Sequence, residues 1–178
     1  MEKSNMRNMT LAAMFAALIF LGTFIIRIPI PATNGYIHFG DGFIYIAALI
    51  LPLPFAAAAA AIGGLLSDIL AGYVIYAPWT AVIKALMAVV TALVFHNSNF
   101  MQQNDKKFSI VKGLTATIIA GIINVGGYFI AESFMYTPAG AIVSVPMNCL
   151  QSAFGIVIFF VLAPVFFRIL HVILKNEK

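Results

Sequence analysis

The sequence predicts an all-α integral membrane protein with six transmembrane helices and both termini on the cytoplasmic side, and three observations predict it. The first is composition. Hydrophobic residues make up 62% of the chain, charged residues 9%, and the mean hydropathy is +1.02, against roughly 45–50% apolar and about 25% charged for a soluble domain. The second is length. A chain of 178 residues holds roughly six spans at about 20 residues each, which leaves no room for a soluble module and predicts one transmembrane domain over residues 1–178. The third is charge placement. Eight of the ten Lys and Arg residues lie at the N-terminus (Lys3, Arg7), in one mid-chain linker (Lys106, Lys107, Lys112) or at the C-terminus (Arg168, Lys175, Lys178). Basic residues are retained on the inner side, and six spans put all three clusters there, whereas five or seven would separate them.

The elements follow in order. The first span runs from about Met9 to Ile26 and ends where Arg27, Pro29 and Pro31 cannot continue a lipid-facing helix. A basic start and an apolar stretch also suit a signal peptide, but Arg27 to Pro31 offers no small-residue cleavage site, so the segment is read as a span. A polar, glycine-containing loop, Ala32 to Gly40, leads to a second span that begins near Asp41 and stops at Leu51-Pro52-Leu53-Pro54. The third span, Phe55 to Ala71, contains six consecutive alanines (Ala56 to Ala61), whose small side chains let helices approach closely in lipid. The fourth covers Ala77 to Phe95, and the linker Asn97 to Lys112 is the one clearly soluble stretch. The fifth runs from Gly113 to Ile130 and the sixth from Val145 to Leu170, joined by an outer loop from Glu132 to Ser144. The net charge of +4 follows from the inner clusters; membrane lipid, not nucleic acid, is the expected anionic neighbour, since no stretch mixes basic and aromatic residues. The single cysteine, Cys149, precludes an internal disulfide and reads as a small buried hydrophobe.

The remaining polar residues are not evenly spread. Asp41, Asp68, Thr80, Lys84, Asn124, Tyr128, Glu132, Asn148 and Gln151 all fall in the outer half of their spans or at the outer boundary. A charge at mid-membrane costs about 2.5–3.5 kcal/mol on insertion scales, so such residues face a protein interior or a wet cavity and have partners. Spacing sharpens the inference: Asn124, Tyr128 and Glu132 recur at i, i+4 and i+8, Thr80 and Lys84 share a face, and so do Asn148 and Gln151. An outward-facing polar pocket is expected, with the aromatics Tyr36, Tyr73, Tyr76, Trp79, Tyr128 and Tyr136 at the same level.

Structural readings stand beside the functional ones. Tyr73, Tyr76 and Tyr136 suit an interfacial belt, and Trp79 either that belt or a stacking platform for ligand. Asp41 suits an N-cap, Asp68 and Lys84 a buried ion pair between spans three and four, Asn124 and Asn148 helix glue, and Glu132 a solvated loop-edge carboxylate. His38 reads as a solvated loop histidine or a ligand contact. Catalysis finds no support: there is no His-Glu-x-x-His helix, no Gly-x-Ser-x-Gly elbow and no phosphate-binding loop, and the three histidines lack metal-ligand spacing. No enzyme, metal or cofactor is expected, and the strongly polar residues stop half-way, which disfavours a channel. A one-sided binding protein remains.

The run Gly35-Tyr36-Ile37-His38-Phe39-Gly40-Asp41, then Gly63-Gly64-Leu65-Leu66-Ser67-Asp68, then Tyr76-Ala77-Pro78-Trp79-Thr80-Ala81-Val82-Ile83-Lys84 resembles the substrate-capture subunit (S component) of energy-coupling factor (ECF) vitamin transporters. The resemblance covers about Ala12 to Phe95. It implies a six-helix subunit in the plasma membrane of a prokaryote that takes a vitamin from outside and associates with a transmembrane coupling subunit and two ATPases. It also implies that Ala12/Ala16 and Ala13/Ala17, overlapping Ala-x-x-x-Ala pairs on the first span, dock the coupling subunit, though such pairs serve ordinary packing too. The Ile-His-Phe-Gly-Asp and Pro-x-Thr-x-x-x-Lys runs resemble subunits for vitamin B6, hydroxymethylpyrimidine or thiamin precursors and, more distantly, riboflavin. The implied substrate contacts are Tyr36, His38, Asp41, Asp68, Trp79, Thr80, Lys84, Asn124, Tyr128, Asn148 and Gln151. The pocket lacks an arginine cluster for a phosphorylated ligand, and cobalt and nickel relatives rely on an N-terminal histidine where this chain has Met1-Glu2-Lys3. The alternative from a different class is a solitary proton-coupled carrier in which Glu132 or Asp68 titrates.

Overall fold

The computed structural model describes residues 2–25, 27–30, 35–96 and 109–175. The basic pair Lys106/Lys107 and most of the predicted linker lie outside the described residues. Six helices and one hairpin follow in order: α1 (Glu2–Phe24), β1 (Arg27–Ile30), β2 (Gly35–His38), α2 (Asp41–Ile50), α3 (Leu53–Ala71), α4 (Ala77–His96), α5 (Ile110–Met135) and α6 (Pro138–Lys175). Five of these helices are long and apolar enough to cross a bilayer, which makes this a multi-pass membrane protein.

The sixth helix, α2, is the exception. Its ten residues rise about 15 Å, half of a hydrocarbon core of about 30 Å. Gly40 precedes it, and Pro52 and Pro54 force the chain to turn straight after it into α3. Ile44, Tyr45, Ile46, Ala47 and Ala48 are all fully buried, so successive residues on every side of α2 face protein, as in a helix at the centre of a bundle. The packing agrees. α2 touches α1, α3, α4 and α6, while α1–α3, α3–α4, α4–α5 and α5–α6 pack pairwise around it. Phe15 of α1 and Phe166 of α6, with ring centroids 6.0 Å apart, bring the last helix back to the first. The architecture is a ring of five long helices around a half-length plug.

Three expectations need correction. The loop expected between Arg27 and Gly40 is partly ordered as the antiparallel pair β1–β2, with Arg27 opposite His38 and Pro29 opposite Tyr36; Pro29 is tolerated because a two-stranded sheet has only edges. The loop expected from Glu132 to Ser144 is nearly all helix. The Thr137 hydroxyl accepts from the Gly140 N–H at 3.1 Å, Pro138 opens α6 where no N–H is needed, and α6 continues through Pro146 and Pro164. Cys149 is exposed rather than buried.

Close helix contact depends on missing side chains. A Cβ on Gly63 would lie 2.7 Å from the Ala16 carbonyl oxygen and 2.9 Å from Ile19, so α1 and α3 meet at backbone distance there. Gly126 of α5 has nothing within 4 Å of the same position. Gly63→Val is therefore expected to lower the thermal unfolding midpoint in detergent, by the equivalent of about 1–3 kcal/mol, while Gly126→Ala leaves it unchanged or raises it slightly. Equal tolerance of both substitutions would mean that α1 does not pack on α3 at Gly63.

Candidate functional site

The polar side chains converge from every element around the plug. Asp41 is the first residue of α2, and instead of capping that helix its carboxylate accepts from Lys84 Nζ of α4 at 2.6 Å and from Gln151 Nε2 of α6 at 3.0 Å. Lys84 also donates to Asn124 Oδ1 of α5 at 2.8 Å, and Asn124 Nδ2 donates to the Ser152 hydroxyl at 3.1 Å. The ammonium stands 5.3 Å from the centre of the Tyr128 ring. The ion pair is 1% and 0% exposed, and a glycine makes room for it: a Cβ on Gly155 would sit 2.8 Å from the Asp41 Cβ. The expected Asp68–Lys84 pair is thus replaced by Asp41–Lys84.

Above this network, toward the hairpin, lies a cavity lined by Tyr36, His38, Asp68, Tyr73, Tyr76, Thr80, Tyr128, Glu132 and Asn148. Its empty space, open mouth included, is about 350 Å³. The Tyr36 hydroxyl donates to Asp68 Oδ1 at 2.6 Å, and the Tyr36 and Tyr73 rings pack at 4.7 Å. Burial first, and the charge of Asp68 second, push the Tyr36 hydroxyl well above its usual range, which keeps it a donor. Thr80 and Tyr128 bond through their hydroxyls at 2.9 Å. On the far wall Ser144 donates to Glu132 Oε2, and the Tyr76 hydroxyl reaches Oε1 at 3.5 Å. Among the described residues, two buried atoms in this wall, Asp68 Oδ2 and Asn148 Nδ2, make no well-formed hydrogen bond, although the Thr80 hydroxyl lies beside the Asp68 carboxylate.

Ten of the eleven sequence-expected contacts therefore gather here, in two tiers. Tyr36, His38, Asp68, Thr80, Tyr128 and Asn148 line the cavity, and Asp41, Lys84, Asn124 and Gln151 form its floor network. Trp79 does not join them. Its ring stacks on Phe134 at 6.1 Å and lies outside the wall. Tyr73 and Tyr76, for which an interfacial belt was the alternative reading, line the cavity, and Glu132, for which a solvated loop edge was the alternative, is 2% exposed within its wall. The i, i+4, i+8 spacing of Asn124, Tyr128 and Glu132 carried the signal for Glu132. Among the described residues no cluster of His, Cys, Asp and Glu is placed to hold a metal ion.

The docking candidates divide. Ala12 and Ala16 are half-buried against the core, whereas Ala13 and Ala17 are exposed on α1.

His38, for which the sequence left open a solvated loop position or a ligand contact, is 5% exposed. The Gly40 N–H donates to its Nδ1 at 3.1 Å, so Nε2 carries the proton of the neutral ring. Burial, with the positive charge of Lys84 second, holds its pKa down to about 3. An unfolded histidine titrates near 6.5, so as pH falls from there toward 3 the unfolded chain binds a proton that the folded one refuses. Stability present at pH 7 is lost through that window. Between pH 7 and 5 the wild type is expected to lose roughly 1–2 kcal/mol more than His38→Gln in thermal unfolding in detergent; parallel profiles would place His38 in water.

Comparison with known proteins bears on what this site serves. A Pyrococcus woesei protein described as an "uncharacterized protein in gap 3'region" is 30% identical over 136 residues, covering 76% of this chain and 85% of that protein. The family profile described as "ECF-type riboflavin transporter, S component" matches residues 3–167. With that match over most of its length, the chain belongs to the ECF-type riboflavin transporter S-component family, and is a substrate-binding subunit of a multi-pass membrane transporter.

Proposed function

We propose that this chain captures a small aromatic heterocycle of the pyridoxine, pyridoxamine or hydroxymethylpyrimidine type and hands it on, chemically unchanged, for ATP-driven uptake by a transmembrane coupling subunit and two ATPases. One observation carries the reading: a cavity of about 350 Å³, open mouth included, walled by four tyrosines and by buried polar groups from four helices and the hairpin. Tyrosine faces suit stacking on an aromatic ring. The family name refers to riboflavin, a three-ring ligand with a long polyol chain; the Ile-His-Phe-Gly-Asp and Pro-x-Thr-x-x-x-Lys runs, which resemble those of subunits for single-ring vitamins, are the reason for preferring a single ring. In this reading the hairpin end faces outside, all six helices belong to one domain over residues 1–178, and both termini lie in the cytoplasm of a prokaryotic cell, as the basic clusters require. α2 then counts as a sixth, incomplete crossing.

Mass spectrometry of small molecules released from gently purified protein tests the ligand. A single-ring heterocycle is expected, at a level that falls on extensive washing, and riboflavin in its place would support the family's printed substrate.

A second test separates capture from coupling. If the exposed pair Ala13/Ala17 forms the contact face for the coupling subunit, Ala17→Leu holds the two helices apart and abolishes uptake in cells that carry the partner subunits, with ligand affinity unchanged. Thr80→Val, which removes a hydroxyl in the cavity wall, is expected to weaken binding about fivefold or more. Uptake driven by a pH gradient in vesicles holding this chain alone would support a solitary carrier.

A further inference from the structure

The charges of the site do not balance within the cavity. Its wall holds two carboxylates, Asp68 and Glu132, and no Lys or Arg. Lys84 is bonded to Asp41 and Asn124 in the network beneath. Arg27, on the hairpin, lies over the Phe24 and Tyr36 rings at 4.6 and 5.9 Å and is not part of the wall. The hydrogen bonds are unbalanced in the same direction. Both Glu132 oxygens are engaged, by Tyr76 and Ser144, and Asp68 Oδ1 accepts from Tyr36; the Thr80 hydroxyl lies beside the Asp68 carboxylate but is paired with Tyr128, so Asp68 Oδ2 has no well-formed hydrogen bond although the residue is only 4% exposed. A buried carboxylate oxygen without a donor is costly, and a donor that carries positive charge complements it best. Asn148 Nδ2, also in a side chain 4% exposed, is the reverse case: a donor without an acceptor. The tyrosine rings add to the preference. Tyr36, Tyr73 and Tyr76 pack in series, with centroids 4.7 and 6.5 Å apart, and aromatic faces beside carboxylates attract ammonium-type groups.

We infer that the cavity selects a ligand bearing an amino N–H donor, held by Asp68 Oδ2, together with an acceptor that takes the Asn148 amide. A carboxylate or phosphate substituent is repelled by Asp68 and Glu132, and an oxo group at the donor position sets two acceptors face to face. The inference rests on the single-ring reading above and narrows it to the amino members of that class.

Matched pairs test it by calorimetry on the purified full-length chain in detergent: pyridoxamine against pyridoxine, and 4-amino-5-hydroxymethyl-2-methylpyrimidine against its 4-oxo analogue. The amino member of at least one pair is expected to bind about tenfold tighter or better, the ratio a hydrogen bond to a charged group supports. Asp68→Asn should abolish that preference while retaining most of the affinity for the hydroxy or oxo partner. If the hydroxy and oxo members bind as tightly as the amino ones, or if Asp68→Asn weakens both members equally, the selection for an amino donor is overturned and the single-ring reading stands. If none of the four binds and riboflavin does, the single-ring reading falls and the inference falls with it. Should Asp68→Asn fail to fold, the wild-type pairs alone decide.

Discussion

An ammonium and a carboxylate meeting 2.6 Å apart in the middle of the bundle, 1% and 0% exposed, constrain everything around them. Removing either partner would strand the other charge, a loss of about 3–5 kcal/mol for buried pairs. Satisfying both requires α2, α4, α5 and α6 at once, through Asp41, Lys84, Asn124 and Gln151. Apolar helices in lipid can slide past one another at little cost, because lipid tails are as apolar as their side chains. This network cannot slide, since a shift of one turn would move Lys84 by about 5.4 Å and leave buried donors and acceptors without partners. Helix register and charge neutrality are thus one constraint here.

The same constraint gives the cavity its place. α2 begins at Asp41, at the level of the ion pair, and spans about half the hydrocarbon thickness. On the other side of that level the five long helices continue with no central helix between them, and the β1–β2 hairpin enters from the end. Its Tyr36 and His38 join Asp68 of α3, Thr80 of α4, Tyr128 and Glu132 of α5 and Asn148 of α6 in one wall. Because Asp41 takes up the Lys84 charge in the floor, the wall above is left with carboxylates, hydroxyls and aromatic faces.

How much of this was legible in the sequence depended on what each inference required. The site residues could be read because a charge or amide in a lipid span has few permitted surroundings, so depth and helical spacing were enough to group Thr80, Lys84, Asn124, Tyr128, Asn148 and Gln151. The partner of Lys84 could not be read. Asp41 and Asp68 lie at comparable depth, and only the central position of α2 puts Asp41 nearer. Between the belt and the stacking platform left open for Trp79 the sequence could not choose, because proximity to Lys84 along α4 does not fix the face; its ring lies against Phe134. Glu132 and Ser144 were assigned to a loop because Pro138 and Pro146 read as breakers, whereas a proline in the first turn lacks nothing and one inside a lipid-packed helix is tolerated. For His38 the choice between solvent and site stayed open for want of any sign that a hairpin would carry it inward.

Helix α1 has one exposed face and one face packed on α3. Its exposed side carries Ala13 and Ala17, and its opposite side meets α3 at backbone distance, with the Ala16 carbonyl against Gly63. One turn along α3 the Ser67 hydroxyl donates to the Gly63 carbonyl of its own helix at 2.8 Å and lies 3.2 Å from the Phe20 carbonyl of α1, and the next residue is Asp68, in the cavity wall. Contacts this tight leave little room for α1 to rock on α3, because any closer approach meets backbone atoms. A partner seated on Ala13 and Ala17 would therefore press on a rigid helix pair, of which Asp68 is part. Displacement of that pair as a unit would move one cavity wall against Lys84 and Asp41, which are held by the floor network, so a partner on the proposed Ala13/Ala17 face would act on the cavity through the small residues that seat α1 on α3.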